Sequence, residues 1–138
     1  MRVTTSRFGV IHFEKEGIVT FPTGIPGFEE NRRYVLVHSE KLEPFRWLQS
    51  VEDPDLAFLV VDIQVLCPDY DLQLGGEDRS DLRFEDEDEL GALAIAGLTG
   101  PERGDLSVNM QGPLIINANS RRGKQVIHSS YPAQLKVT

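Results

Sequence analysis

Ile18-Val19-Thr20-Phe21-Pro22-Thr23-Gly24-Ile25-Pro26-Gly27-Phe28-Glu29 runs a β-branched and aromatic strand into a corner where prolines and glycines alternate with large apolar side chains. Each proline fixes its own φ and biases the residue before it towards extended geometry, and each glycine is free to take a positive φ. An ordinary surface turn carries Asn, Asp or Ser at such places. Phe21, Ile25 and Phe28 stand there instead, so the expected structure is a folded-back loop pinned onto a core. Two roles stay open for it, a structural corner after a strand or a recognition surface held in one shape.

On either side of the corner the pattern is that of short strands. Val3 to Phe13 is strand-like, with Gly9 as a bulge, and Glu14 to Gly17 is a turn, so the first two strands are expected to form a hairpin. Tyr34 to His38 is a short buried strand. Pro44 suits the first position of a short helix that turns Phe45, Leu48 and Trp47 inward. Asp53-Pro54-Asp55 marks a turn, and Leu56 to Val61 is an unbroken apolar run, the pattern of a strand covered on both faces and the best candidate for the central one. Asp69 to Leu74 alternates, with Tyr70, Leu72 and Leu74 on one face.

Glu77 to Glu89 is the most charged part of the chain and reads as a short helix or an irregular acidic connection. Leu90 to Leu98 is favoured as a strand by its alternation although Ala and Leu prefer helix. Thr99 to Gly104 is a turn. Leu106 to Met110 and Leu114 to Ile116 are strand candidates interrupted at Gly112-Pro113. Asn117 to Lys124 is a basic, turn-rich loop, Gln125 to His128 the last full strand, and Leu135 and Val137 add a short pairing. The sum is an all-β chain, a compact antiparallel small β-barrel or sandwich with one or two short helical segments.

At 138 residues and 40% hydrophobic composition, one domain spanning 1–138 is expected. The formal net charge of -8 and pI near 4.8 argue against direct nucleic-acid binding, which needs clustered Lys and Arg, and favour protein partners. Cys67 is the single cysteine, which leaves no intramolecular disulfide or thiolate metal cage and no activating partner for a reactive thiol. The N-terminus lacks the apolar core of a secretory signal, and no segment approaches the roughly 20 apolar residues of a membrane span. A soluble, cytoplasmic protein without membrane contact is expected.

Catalytic and cofactor chemistry finds little footing. His12, His38 and His128 lie on separate strands with no second ligand at metal spacing, so no metal is assigned. Carboxylates such as Glu29, Asp53, Asp69 and Asp71 are too abundant to define an acid/base pair without geometry. Gly75-Gly76 is followed by no Lys-Ser or Lys-Thr, and no G-x-G-x-x-G opens a helix, so no phosphate loop and no cofactor are expected. The acidic run from Glu77 to Glu89 is either a solvated face or a negative field that attracts a basic partner.

Four spaced motifs carry a resemblance: Gly24-Ile25-Pro26-Gly27-Phe28-Glu29; Pro44-Phe45 with Leu48-Gln49-Ser50; Pro68-Asp69-Tyr70; and Asn109 with Pro113-Leu114-Ile115-Ile116-Asn117. Their order and spacing over nearly the whole chain resemble the FliW family of bacterial flagellar assembly factors. Gly112 departs from the small alanine expected there, and Asp62 to Cys67 is less aromatic than usual. The resemblance implies a small β-barrel-like protein without catalytic activity that binds flagellin in the cytoplasm. It also implies binding of CsrA, the dimeric RNA-binding repressor of flagellin translation, once flagellin export frees the protein. Partner contacts are expected at Ile25, Pro26, Phe28 and Glu29 of the corner, at Phe45 and Gln49, and at Tyr70 and Asn117, against the alternative that Phe45, Leu48 and Tyr70 are core. A different class, a small β-barrel enzyme or ligand carrier with an unrecognised pocket, stays open beside it.

Overall fold

In the computed structural model the apolar run becomes β6 (Ala57–Asp62), and it lies in the middle of the sheet as its two-sided apolar character requires. It is flanked by β5 (Phe45–Ser50) and β7 (Leu90–Leu98). Outward from these come β4 (Arg33–His38) with β3 (Ile18–Thr20), and β8 (Leu106–Asn117) with β9 (Arg122–Gln125). Because β9 pairs with both β3 and β8, the strands close into a seven-stranded β-barrel in the order β8-β7-β6-β5-β4-β3-β9. The closing pair, β3 with β9, is parallel and joins Thr20 to Arg122, whereas the other barrel pairings are antiparallel. β10 (Leu135–Lys136) adds to β8, and β1 (Arg2–Thr5) with β2 (Gly9–His12) forms a separate hairpin. The described residues are 1–98 and 106–136, so the expected turn at Thr99 to Gly104 and the tail position Val137 lie outside them. No helix among them is long and apolar enough to cross a membrane.

Alternation along the strands divides the apolar side chains into two layers. Phe21, Ile25, Tyr34, Leu48, Val60 and Leu114 form the inner cluster, and Phe21, Tyr34 and Leu48 are fully buried. Val61, Ala94, Val108, Met110 and Ile115 belong to a second cluster on the opposite face of β6 to β8. It is covered by α1 (Ile63–Leu66), by Tyr70, Leu72 and Leu74, and by Leu82 just beyond α2 (Gly76–Asp81). The hairpin is tied to the barrel through Phe8, edge-on to Trp47 at 6.0 Å, and the Ser6 N–H, which donates to the Pro54 carbonyl at 3.0 Å.

Several local expectations change. Residues 3–13 are two strands, not one: Gly9 takes φ 66 directly after the turn rather than serving as a bulge, and β3 pairs with β4 instead of with the N-terminal segment. The helix expected after Pro44, which follows a cis peptide bond, is strand β5, because Phe45 to Gln49 are laddered on both sides, Trp47 facing Val37 and Leu59. A 3-10 turn sits just before it, at Glu40–Leu42. Asp69 to Leu74 keeps the expected faces but forms no ladder; Tyr70 is buried and Leu72 and Leu74 half-buried without strand partners. The last full strand is β9, three residues earlier than expected, leaving Ile127 exposed.

The Gly112-Pro113 interruption is a distortion inside one long strand. Leu93 pairs with Leu114 and Ile95 with Asn109, so the residues between Asn109 and Leu114 bulge against Ala94 alone. The Asn109 side chain caps the bulge, its Oδ1 accepting from the N–H groups of Gln111 and Gly112 at 2.9 Å each.

Candidate functional site

The corner is built from its glycines. Gly24 takes φ 74 and Gly27 φ 89, and a Cβ on Gly24 would stand 2.5 Å from the Cα of Glu29 and 2.8 Å from its carbonyl oxygen. The loop therefore folds onto itself more tightly than any side chain at position 24 permits. Backbone bonds fix the fold-back: Gly24 N–H donates to the Phe21 carbonyl at 2.8 Å, Phe28 N–H to that of Ile25 at 2.7 Å, and Asn31 N–H to that of Phe28 at 3.0 Å. The Glu29 carboxylate accepts from the Gly27 N–H at 3.0 Å.

This locking separates the apolar side chains by role. Phe21 and Ile25 enter the inner cluster, Phe21 edge-on to Tyr34 at 5.4 Å. Phe28 instead stays 41% exposed, its ring edge-on to Phe58 at 5.1 Å, and Pro26 and Glu29 are exposed beside it. The ring is thus held in one orientation by a second ring and a rigid loop, and an aromatic side chain ordered in this way loses little freedom on being covered.

Of the expected contact residues, the structure thus brings Pro26, Phe28 and Glu29 together at the surface and turns Ile25 inward. Phe45 is half-buried against the outer cluster. Gln49 is buried, and its Nε2 donates to the carbonyls of Ser50 at 3.0 Å and Asp53 at 3.3 Å, which braces the turn after β5. Tyr70 is buried; its hydroxyl donates to the Met110 carbonyl at 2.6 Å and its ring stacks on Tyr131 at 4.1 Å. Burial, with Tyr131 and Cys67 adding, pushes its pKa up to about 12, so the hydroxyl remains a donor at ordinary pH.

Asn117 is fully buried at the end of β8. Its Nδ2 donates to the Leu82 carbonyl at 3.0 Å and to Asp88 at 2.9 Å, and its Oδ1 accepts from the Asn119 N–H at 3.0 Å. It ties the acidic segment to the barrel. Asn117→Ala removes these bonds and leaves the Leu82 carbonyl one partner fewer, so we expect about 2 kcal/mol of lost stability. A urea titration should show it as a lower midpoint with unchanged slope.

The acidic run is helical in its first part only, as α2, and then turns twice before β7. Lys124 lies between Asp78 and Asp81 at 2.7 Å from each; burial works against its charge, but the two carboxylates outweigh burial and raise its pKa. Glu52 likewise sits where burial favours the neutral acid. The N–H groups of Arg33 and Arg32, at 3.0 and 2.7 Å, with their guanidinium charges, win and hold it below the usual carboxylate range. Among the described residues no group of three or more His, Cys, Asp or Glu is placed to hold a metal ion.

One site escaped sequence reasoning. Lys15, Arg33, Arg83, Arg121 and Arg122 line a single cleft of about 620 Å³. The basic loop from Asn117 to Lys124 was the legible half of it; Lys15 and Arg33 come from segments whose approach only barrel closure reveals.

Comparison with known proteins agrees with this fold. The family model described as FliW protein matches residues 2–138. The flagellar assembly factor FliW of Caldanaerobacter subterraneus subsp. tengcongensis is 39% identical over 129 residues, covering 92% of this chain and 85% of that protein. That of Geobacter sulfurreducens is 41% identical over 127 residues, covering 92% and 79%. A crystal structure of the flagellar assembly factor FliW superposes with a TM-score of 0.87 at 31% identity, covering 99% of this chain and 96% of that one.

Proposed function

Since the chain belongs to the FliW family of flagellar assembly factors, we propose that it acts in the cytoplasm as a single non-catalytic domain that binds flagellin. When export removes flagellin, the freed protein captures CsrA, antagonises its RNA binding and so relieves repression of flagellin synthesis. It is thereby both a flagellin chaperone and a regulator of translation. The supporting observation is the Pro26-Phe28-Glu29 tip, an exposed aromatic residue on a glycine-locked loop with an acidic neighbour. The overall charge of -8 suits a cationic RNA-binding partner and disfavours RNA itself.

Size-exclusion chromatography with purified flagellin and purified CsrA tests the reading directly: co-elution with each is expected, and failure with both would sink it. Phe28→Ala then tests the surface. Because the ring is 41% exposed and does not belong to a buried cluster, its loss should cost about 1 kcal/mol of stability or less. Affinity for the partner seated on the tip should fall by about tenfold or more. A large drop in unfolding temperature with unchanged partner affinity would return Phe28 to the core.

A further inference from the structure

Thr20 of β3 stands opposite Arg33 of β4 on one side and Arg122 of β9 on the other, so the three side chains form a row across the closing strands of the barrel. Opposed residues share a face. Val19 and Tyr34, each one position away, fill the inner cluster, so the row looks outward. With strands about 4.8 Å apart, the two arginine stems lie roughly 10 Å from each other with a hydroxyl between them. Ile18, two residues before Thr20, shares their face, and Met1 joins it in lining the cleft. Lys15 enters from the 3-10 turn at Lys15–Gly17, Arg83 from the turn after α2, and Arg121 from the turn between β8 and β9.

The charges of this cleft are largely uncancelled. Arg121 donates to the backbone carbonyl of Glu16, and Arg122 reaches only the Asp81 carbonyl, at 3.5 Å; neither contact neutralises a guanidinium. Arg33 is the exception, its Nε forming a loose and partly exposed ion pair with Glu52 at 3.9 Å. Lys15 and Arg83 make no ion pair among the described residues. Glu16 is the one carboxylate in the lining. A chain of net charge -8 therefore gathers cationic side chains from four separated segments into one concave place.

We propose that this cleft docks an acidic segment of a protein partner. Carboxylates are held by Arg33 and Arg122, with the Thr20 hydroxyl between them, and an interspersed aliphatic side chain rests on Ile18 and Met1. Arginine forks match carboxylates bidentately, and the apolar floor distinguishes a peptide from free phosphate, which has no use for one. A short acidic segment is contained by the cleft, whereas an extended nucleic acid continues beyond it onto a body of net charge -8, which repels its further phosphates. The cleft shares no residue with the Pro26-Phe28-Glu29 tip, and its test does not depend on which proteins that tip engages.

The probe is a fluorescein-labelled Gly-Glu-Leu-Asp-Glu-Leu-Gly peptide, titrated with the full chain by fluorescence anisotropy at low salt and again near physiological salt. Saturable binding that weakens with salt is expected, with amide shifts in ¹⁵N spectra centred on Ile18, Thr20, Arg33 and Arg122. The double variant Arg33→Gln, Arg122→Gln should weaken binding by about tenfold or more. A peptide with Lys in place of each acidic residue should not bind. Should the double variant melt at lower temperature, Arg83→Gln, which lies outside the barrel strands, replaces it as the probe of cleft charge. Absence of saturable binding, or binding indifferent to these variants, overturns the proposal. It is equally overturned if inorganic phosphate or a short RNA shifts the same amides at lower concentration than the peptide does.

Discussion

Phe21→Ala should lower stability by about 4 kcal/mol, the middle of the range for emptying an aromatic core site. The ring is fully buried, edge-on to Tyr34, and so close to Gly123 that a Cβ there would stand 2.6 Å from two of its atoms. Gly123 belongs to β9 and Phe21 follows β3, so the ring wedges the two strands that close the barrel. The vacated space is walled by the Tyr34 ring and the other side chains of the inner cluster, with Gly123 offering no side chain to fill it. Differential scanning calorimetry should show a melting temperature lower by roughly 10 to 15 °C. A fall equivalent to about 1 kcal/mol or less would mean that the closing strands hold together without the wedge.

Gly24→Ala is expected to cost about 3 kcal/mol, although it adds one methyl group to a loop. Part is the strain of a non-glycine residue at positive φ, about 1 to 2 kcal/mol; the rest is displacement of the Glu29 backbone that the methyl would meet at 2.5 Å. Because Pro26 and Phe28 lie between the two contacting points and Glu29 is one of them, the substitution should also weaken partner binding about tenfold while changing none of their side chains. Chemical denaturation and partner titration on the same sample check both halves. Full stability with lost binding would mean that the loop adapts, and lost stability with full binding would place the contact surface elsewhere.

Where a sequence signal was local, it was legible. The Leu56 to Val61 run lies at the sheet centre, and the prolines and glycines of the corner do fold it back onto buried Phe21 and Ile25. Where pairing decided the outcome, it was not. Pro44 followed by Phe45 and Leu48 meets a helix criterion, but ladders from both neighbours make the segment β5. Asp69 to Leu74 alternates as a strand does, yet with α1 and α2 on either side no partner reaches it, so only its faces survive.

The short helix α1 did have a local signal. Asp62 Oδ1 accepts from the Gln64 N–H at 3.0 Å, an N-cap readable from Asp62 followed by Ile63 and Gln64. For the candidate contacts the limit was burial. Gln49, Tyr70 and Asn117 are polar or amphipathic residues of family motifs, and sequence cannot say whether such a group bonds to a partner or to its own backbone. Their hydrogen bonds to Asp53, Met110 and Leu82 give each a reason to be there inside the fold.

The single parallel bridge between Thr20 and Arg122 has a consequence for synthesis. On the ribosome β3 is made well before β9, so its outer edge waits unpaired while β4 to β8 emerge, and a chain interrupted before β9 retains an open sheet edge. The row of Arg33, Thr20 and Arg122 likewise exists only once translation has passed β9. A partner that grips this seam reads barrel closure along with its chemistry, and a copy interrupted before β9 does not present the seam.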